Sequence, residues 1–172
     1  MPNIKMINGV YSDDTAIHDV VNYCFDHNLV EYYSTYLPMP GYLNEIPAIN
    51  RKQELESVMC FWNNILDQNM KNYGKRLLHF SIGFSYIDNK WFYNKYKVQD
   101  TFACLYDYAL QRGFPSVAVE HITEEGYCHI HYVIGTVNIY GERYDKYGIT
   151  AKNIAQCIGN KIGEFVVEKY DD

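Results

Sequence analysis

Three of the chain's six histidines fall within eleven positions, as His121, His129 and His131. Residues 116–122 and 128–138 have the composition of two strands. The link between them, TEEGY, is short and contains glycine, which predicts an antiparallel hairpin. Alternate residues of a strand share a face, so His129 and His131 point the same way and His121 lies across from them.

Three imidazoles that converge from one rigid hairpin can hold a metal ion and leave coordination positions open to water or a substrate. Cys128 points to the opposite face of its strand and is not expected to be a ligand. The alternative is a set of surface histidines on a solvated strand. The remaining histidines, His18, His27 and His79, are scattered, and each is expected to be an ordinary helix or strand residue.

The elements that must position this hairpin can be outlined from residue spacing. Helical periodicity predicts helices over 15–28, 51–70 and 98–111, and a last helix that Thr150 caps and that runs to about 167 with Phe165 on its buried face. Apolar runs predict further strands over 4–10 and 76–87, and residues 38–50 are predicted to form a loop. The element order is mixed and includes a hairpin late in the chain, which predicts an α+β fold: an antiparallel sheet with helices packed on it, in a single domain over 1–172.

Composition narrows the class of protein. The 172 residues include 15 Lys and Arg against 21 Asp and Glu, a net charge of −6, which excludes a protein that coats nucleic acid by bulk charge. Five cysteines without a C-x-x-C pair favour reduced thiols and a cytoplasmic location. We expect no membrane association, because the sequence has neither a long apolar run nor a recognisable signal segment.

Several segments resemble one known family. The run HITEEGYCHIHYVIGTVN (121–138) resembles the three-histidine motif of plasmid mobilisation relaxases of the MobA/MobP type, which are HUH endonucleases. NIYGERY (138–144) and LLHFSIGFS (77–85) are similar to two further stretches of these proteins, and DVVNYCFDHN (19–28) resembles their N-terminal helix with its nucleophilic tyrosine. Thr123 and Gly135 depart from the usual family pattern, in which Asp and an Asn-like residue are common.

The resemblance implies an HUH relaxase-like palm that nicks and rejoins single-stranded DNA. In this reaction a tyrosine, here Tyr23, attacks a phosphodiester and forms a 5'-phosphotyrosyl intermediate with a free 3'-OH. His121, His129 and His131 would hold the divalent metal. Imidazole suits Mn²⁺ or Zn²⁺ better than Mg²⁺, so Mn²⁺ is the first expectation, with Zn²⁺ and Mg²⁺ as alternatives. The implied partners are single-stranded DNA at an origin of transfer or replication and other mobilisation proteins.

Other assignments stay open at this point. A Rep-like replication initiator would use a late tyrosine such as Tyr144 or Tyr147. A relaxase-like domain could also bind DNA or a protein without cleaving. Even for an early nucleophile, the chain offers rivals to Tyr23, namely Tyr11, Tyr32, Tyr33 and Tyr36.

A basic stretch interleaved with aromatic residues is the best candidate for a DNA track. Aromatic stacking combined with phosphate neutralisation holds single strands with little sequence reading. The residues assigned to this role are Lys90, Trp91, Tyr93, Lys95 and Lys97, together with Arg143 from the stretch that follows the histidine motif.

Overall fold

A computed structural model describes residues 2–25, 29–35, 48–69, 74–84, 91–122 and 127–169, with the backbone alone for 29–33, 48–52, 54–55 and 91–95. In chain order the elements are β1 (Asn3–Ile7), α1 (Ala16–Phe25), β2 (Leu29–Ser34), α2 (Ala48–Asn69), β3 (Leu77–Gly83), α3 (Trp91–Leu110), β4 (Ser116–Ile122), β5 (Cys128–Gly135), a short 3₁₀ turn (Tyr144–Tyr147), α4 (Ala151–Ile162) and β6 (Val167–Lys169). The α+β class predicted from sequence is confirmed.

The strands form one six-stranded sheet in the order β2-β4-β5-β3-β1-β6. Four neighbouring pairs are antiparallel, whereas β1 and β6 pair in parallel. The sheet is therefore mixed, and the prediction of a wholly antiparallel sheet is wrong at this edge. The cause is β6, which the sequence reading missed and which pairs with β1 in the same direction after α4.

Helices cover both faces of the sheet. α3 and α4 pack on one face, where the core includes Phe80, Ile130 and Tyr132. α1 and α2 pack on the other, where Leu77 and Val133 join the core. Because neighbouring strand residues face opposite sides, the odd-numbered residues of β3, β4 and β5 lie toward α1 and α2. This alternation decides which helices surround the histidines.

The last helix differs from its prediction. α4 ends at Ile162, and the residue after it, Gly163, has a φ of +69°, the left-handed conformation that terminates helices. Phe165 follows this stop and is 76% exposed, so its predicted place on a buried helix face is wrong. At the other end the prediction is confirmed, because the Thr150 side chain accepts a hydrogen bond from the backbone N–H of Asn153.

Two further sequence expectations concern the loop over 38–50 and membrane crossing. Of the predicted loop over 38–50, residues 38–47 lie outside the described part of the chain, and residues 48–50 begin α2. Within the described residues, no helix has both the length and the apolar character that crossing a bilayer requires.

Candidate metal centre

The predicted hairpin brings its three histidines onto one face. β4 and β5 pair with His121 directly opposite His129, and Val119 opposite His131. The ring centroids are 5.3 Å apart for His121 and His129, and 4.9 Å apart for each of these with His131. Cys128 faces the opposite core, as predicted, and its thiol donates to Glu120 at 3.2 Å.

The spacing of the imidazole nitrogens suits a single ion. One ligand nitrogen from each of the three histidines lies within 4.8 Å of the others, so the group could hold a metal. Imidazole nitrogens bind at about 2.0–2.1 Å, which places two nitrogens on one ion about 2.8–3.4 Å apart at octahedral or tetrahedral angles. The Nε2 atoms of His129 and His131 are 3.1 Å apart.

Burial favours the neutral, metal-binding form of two of these imidazoles, His129 and His131. Burial, reinforced by the neighbouring histidines, lowers the pKa of His131 to about 3. Burial and His121 also lower the pKa of His129. A neutral imidazole has a free lone pair on one nitrogen, which a metal requires. His121 donates from Nε2 to the carbonyl oxygen of Cys24, so its lone pair lies on Nδ1.

A fourth histidine belongs to the cluster, although sequence reasoning treated it as an ordinary strand residue. His79 of β3 is buried, and its Nε2 lies 2.9 Å from Nδ1 of His131. The β3–β5 register pairs Ser81 with His131, which places His79 diagonally beside it. Cys24 of α1 comes next, with Sγ 3.9 Å from Nε2 of His79. Cys24, His79 and His131 thus form a second group that could hold a metal.

The one signal in the sequence that pointed to His79 was its strand position. In the strand predicted over 76–87, His79 shares a face with Ser81. Nothing in the local pattern says which strand lies beside it, so its contact with His131 depends on a pairing between distant segments. Cys24 was hidden for the same reason, because its place depends on how α1 packs on the sheet.

Tyr23 lies beside the cluster. This tyrosine of α1 is 59% exposed, and its ring stands edge-on to His131 with centroids 5.7 Å apart and planes at 86°. Tyr11 also contacts the cluster, with its hydroxyl 3.5 Å from Nδ1 of His79. Of the other early rivals, Tyr32 and Tyr33 are described by backbone alone and Tyr36 lies outside the described residues.

Comparison of the chain with protein-family models, with curated proteins and with solved structures finds no match. The chemistry of the site is therefore inferred from its own atoms. These are three imidazoles whose nitrogens are spaced for a single ion, a fourth imidazole behind them, and an accessible phenol next to them.

The late tyrosines lie away from this cluster. Tyr144 and Tyr147 belong to the 3₁₀ turn that follows the far end of β5. The Tyr147 ring packs edge-on against Phe114, and its hydroxyl donates to the Glu142 carboxylate. Both rings pack against the core beneath α3 and α4, which favours a structural role for them.

The predicted DNA track does not come to the histidines where the structure describes it. Lys97 of α3 lies against the opposite face of the sheet and pairs with Glu164. Arg143 forms an isolated antiparallel backbone bridge with Val137, which follows the end of β5 that is remote from the hairpin turn. Lys90 lies outside the described residues, and Trp91, Tyr93 and Lys95 are described by backbone alone. DNA contact by these residues stays a prediction.

The buried histidines make the metal-free protein sensitive to acid. Burial is the largest cause that lowers the pKa of His79 to about 4 and of His131 to about 3. Below the unfolded value of about 6.5, the unfolded chain binds protons that the folded state does not. We therefore expect the free energy of unfolding to fall as the pH drops from about 6.5 toward 4, by up to about 1.4 kcal/mol per pH unit for each of the two.

Urea unfolding of chelator-treated protein at several pH values between about 7.5 and 5 measures this dependence. Replacing His79 with glutamine removes one of the two buried histidines. The difference between the variant and the wild type then separates the contribution of His79 to the pH dependence of the free energy of unfolding from the contribution of the carboxylates. A variant whose pH slope equals that of the wild type would show that His79 does not contribute.

Proposed function

We propose that this chain is a metal-dependent enzyme that nicks and rejoins single-stranded DNA through a covalent tyrosine intermediate. Tyr23 is the proposed nucleophile, and His121, His129 and His131 are the proposed metal ligands. The observation that carries the proposal is an accessible phenol edge-on to one of three imidazoles whose ligand nitrogens lie close enough together to bind one metal ion. The same proposal includes the resemblance of the histidine run to mobilisation relaxases. It also includes an HUH relaxase-like palm as the finer description of the α+β fold.

The donor set fits a divalent ion. Nδ1 of His121 and Nε2 of both His129 and His131 would hold it, with coordination positions left for phosphate oxygens. When bound, the ion supplies positive charge that offsets the negative charge developing on the non-bridging oxygens. Imidazole ligands favour Mn²⁺ or Zn²⁺ over Mg²⁺, and Mn²⁺ is our first choice.

Tyr23 would perform the covalent step. Its phenolic oxygen loses its proton and forms a bond to phosphorus, the bond from phosphorus to the 3' oxygen breaks, and the leaving oxygen takes up a proton to become a free 3'-OH, so that no net proton is gained or lost. The reverse reaction rejoins the strand. A nucleophile that attacks a DNA strand must be accessible to that strand. Tyr23 is among the exposed aromatic residues of the described part of the chain.

The proposed partners follow from this reaction. They are single-stranded DNA at an origin of transfer or replication and other mobilisation proteins, met in the cytoplasm and not at a membrane. The net charge of −6 suits an enzyme that needs a few well-placed phosphate contacts. A Rep-like enzyme with a late nucleophile is less favoured, because Tyr144 and Tyr147 follow the far end of β5.

The test uses a random-sequence single-stranded DNA library, because no target sequence needs to be known. The protein is incubated with the library and Mn²⁺, denatured, and separated from DNA that is not covalently bound. We expect a DNA–protein adduct that forms with Mn²⁺, disappears with a chelator, and enriches particular sequences. Folded protein that binds Mn²⁺ and retains DNA, yet gives no adduct, would contradict nicking and favour a domain that binds DNA without cleaving it.

A further inference from the structure

His79 connects the candidate metal centre to the interior of the protein. It is 3% exposed, and its two ring nitrogens have different neighbours. Nε2 faces Nδ1 of His131 at 2.9 Å, and Nδ1 faces the hydroxyl of Tyr11 at 3.5 Å. His131, His79 and Tyr11 therefore form a continuous row of polar groups behind the three-histidine face.

The position of protons along this row follows from what a metal ligand needs. If His131 binds an ion through Nε2, that nitrogen has no proton, so the neutral ring carries its proton on Nδ1. A buried N–H without an acceptor is costly. The atom in hydrogen-bond range is Nε2 of His79, which then accepts, and His79 carries its own proton on Nδ1, toward the Tyr11 oxygen.

We propose that His79 is a positioning residue that fixes the tautomer and ring orientation of His131, so that Nε2 of His131 faces the metal. This inference rests on the proposed metal site and goes beyond it, because it assigns a role to a residue outside the ligand set. Ligating histidines generally donate their second ring N–H to a partner of this kind, and loss of the partner weakens metal binding. Here the partner is a neutral imidazole, which adds no negative charge to the site.

A competing arrangement would make His79 a ligand itself. Cys24, His79 and His131 could hold a metal between them. Two observations favour the positioning role. A neutral His131 has one lone pair, so an ion held through its Nε2 beside His129 leaves Nδ1 protonated, and Nδ1 is the nitrogen that lies 2.9 Å from Nε2 of His79. The Cys24 thiol is fully buried in the apolar core between α1, α2 and the sheet, where a free cysteine acts as a small apolar side chain.

The first experiment measures Mn²⁺ binding by calorimetry for the wild type, His79→Leu and His79→Gln. Leucine fills much of the space without an acceptor, whereas the glutamine carbonyl can accept the N–H of His131. We expect His79→Leu to weaken Mn²⁺ binding by about 10- to 100-fold and His79→Gln to restore most of it. His18→Gln, a change on the exposed side of α1, is the matched control and should bind as the wild type does.

The second experiment needs no variant. Long-range ¹⁵N correlation spectra of the Zn²⁺-loaded wild type report which nitrogen of each histidine carries a proton. We expect the Nδ1–H tautomer for both His131 and His79. A proton on Nε2 of His131 would overturn the inference even if His79→Leu failed to fold.

The remaining outcomes separate this inference from the proposed function. Folded His79→Leu that binds Mn²⁺ like the wild type would overturn the role of His79 and leave the three-histidine site standing. The absorption spectrum of the Co²⁺-loaded protein tests the competing arrangement. A thiolate-to-cobalt band that is lost in Cys24→Ser would place the ion in the group of Cys24, His79 and His131 and would overturn the positioning role of His79 too. A wild type that binds no divalent ion would overturn both the metal site and the role of His79.

Discussion

Replacing Tyr23 with phenylalanine is expected to abolish the covalent DNA adduct, with a loss on the order of 10³-fold or more, because the reaction then has no nucleophilic oxygen. The ring itself is retained, so its edge-on contact with His131 should persist. Mn²⁺ affinity and the free energy of unfolding should therefore stay close to those of the wild type. Gel separation of denatured adducts measures the first effect, and calorimetry and urea unfolding measure the other two.

The matched control for this change is Tyr140→Phe, which removes the hydroxyl of another exposed tyrosine, in the turn after β5. It should form adduct at the wild-type rate. Tyr11→Phe tests the other tyrosine of the cluster, whose hydroxyl lies 3.5 Å from Nδ1 of His79. If Tyr23→Phe still formed adduct and Tyr11→Phe did not, the nucleophile would be Tyr11 and our assignment of Tyr23 would be wrong.

The second large effect is expected from His131→Ala. His131 has the central position in the cluster, since its ring lies 4.9 Å from those of His121 and His129 and 5.0 Å from that of His79. Removing it takes one of the three proposed ligands from the ion and leaves His79 without its proposed partner. We expect Mn²⁺ affinity to fall by about a hundredfold or more and adduct formation to be lost with it.

Two further variants make this result interpretable. His129→Ala removes a half-buried ligand with less disturbance of the core, and it should lose Mn²⁺ binding as well. His18→Ala removes an exposed histidine of α1 and should change neither property. Calorimetric titration with Mn²⁺ gives the affinities, and circular dichroism confirms the fold. Wild-type affinity in folded His131→Ala and His129→Ala would contradict the three-histidine site.

The local parts of this site could be predicted from the sequence. The strand pattern on either side of TEEGY predicted the hairpin, and the two-residue alternation correctly predicted that His129 and His131 share a face and that Cys128 does not. Helical spacing predicted a helix over 51–70, and α2 buries Val58, Met59 and Trp62, which share one helical face because Trp62 follows the other two by four and three positions. These features depend on a few consecutive residues, which is the range over which backbone periodicity acts.

The non-local parts could not be predicted. The role of His79 depends on β3 pairing with β5, and that of Cys24 depends on α1 packing against the sheet, so neither is recorded in a short stretch of sequence. β6 has three residues, too few for an alternation to show, and its pairing with β1 made the sheet mixed. The expected position of Tyr23 came from a family resemblance and not from spacing.

The most direct test of the central claim is to identify the residue that carries the DNA. Adduct formed with Mn²⁺ and the single-stranded library is digested with nuclease and protease, and the modified peptide is sequenced by mass spectrometry. We expect one nucleotide-bearing peptide, from α1, with the phosphate on Tyr23. A phosphate on Tyr144 or Tyr147, or on any residue away from the three histidines, would contradict the proposed mechanism.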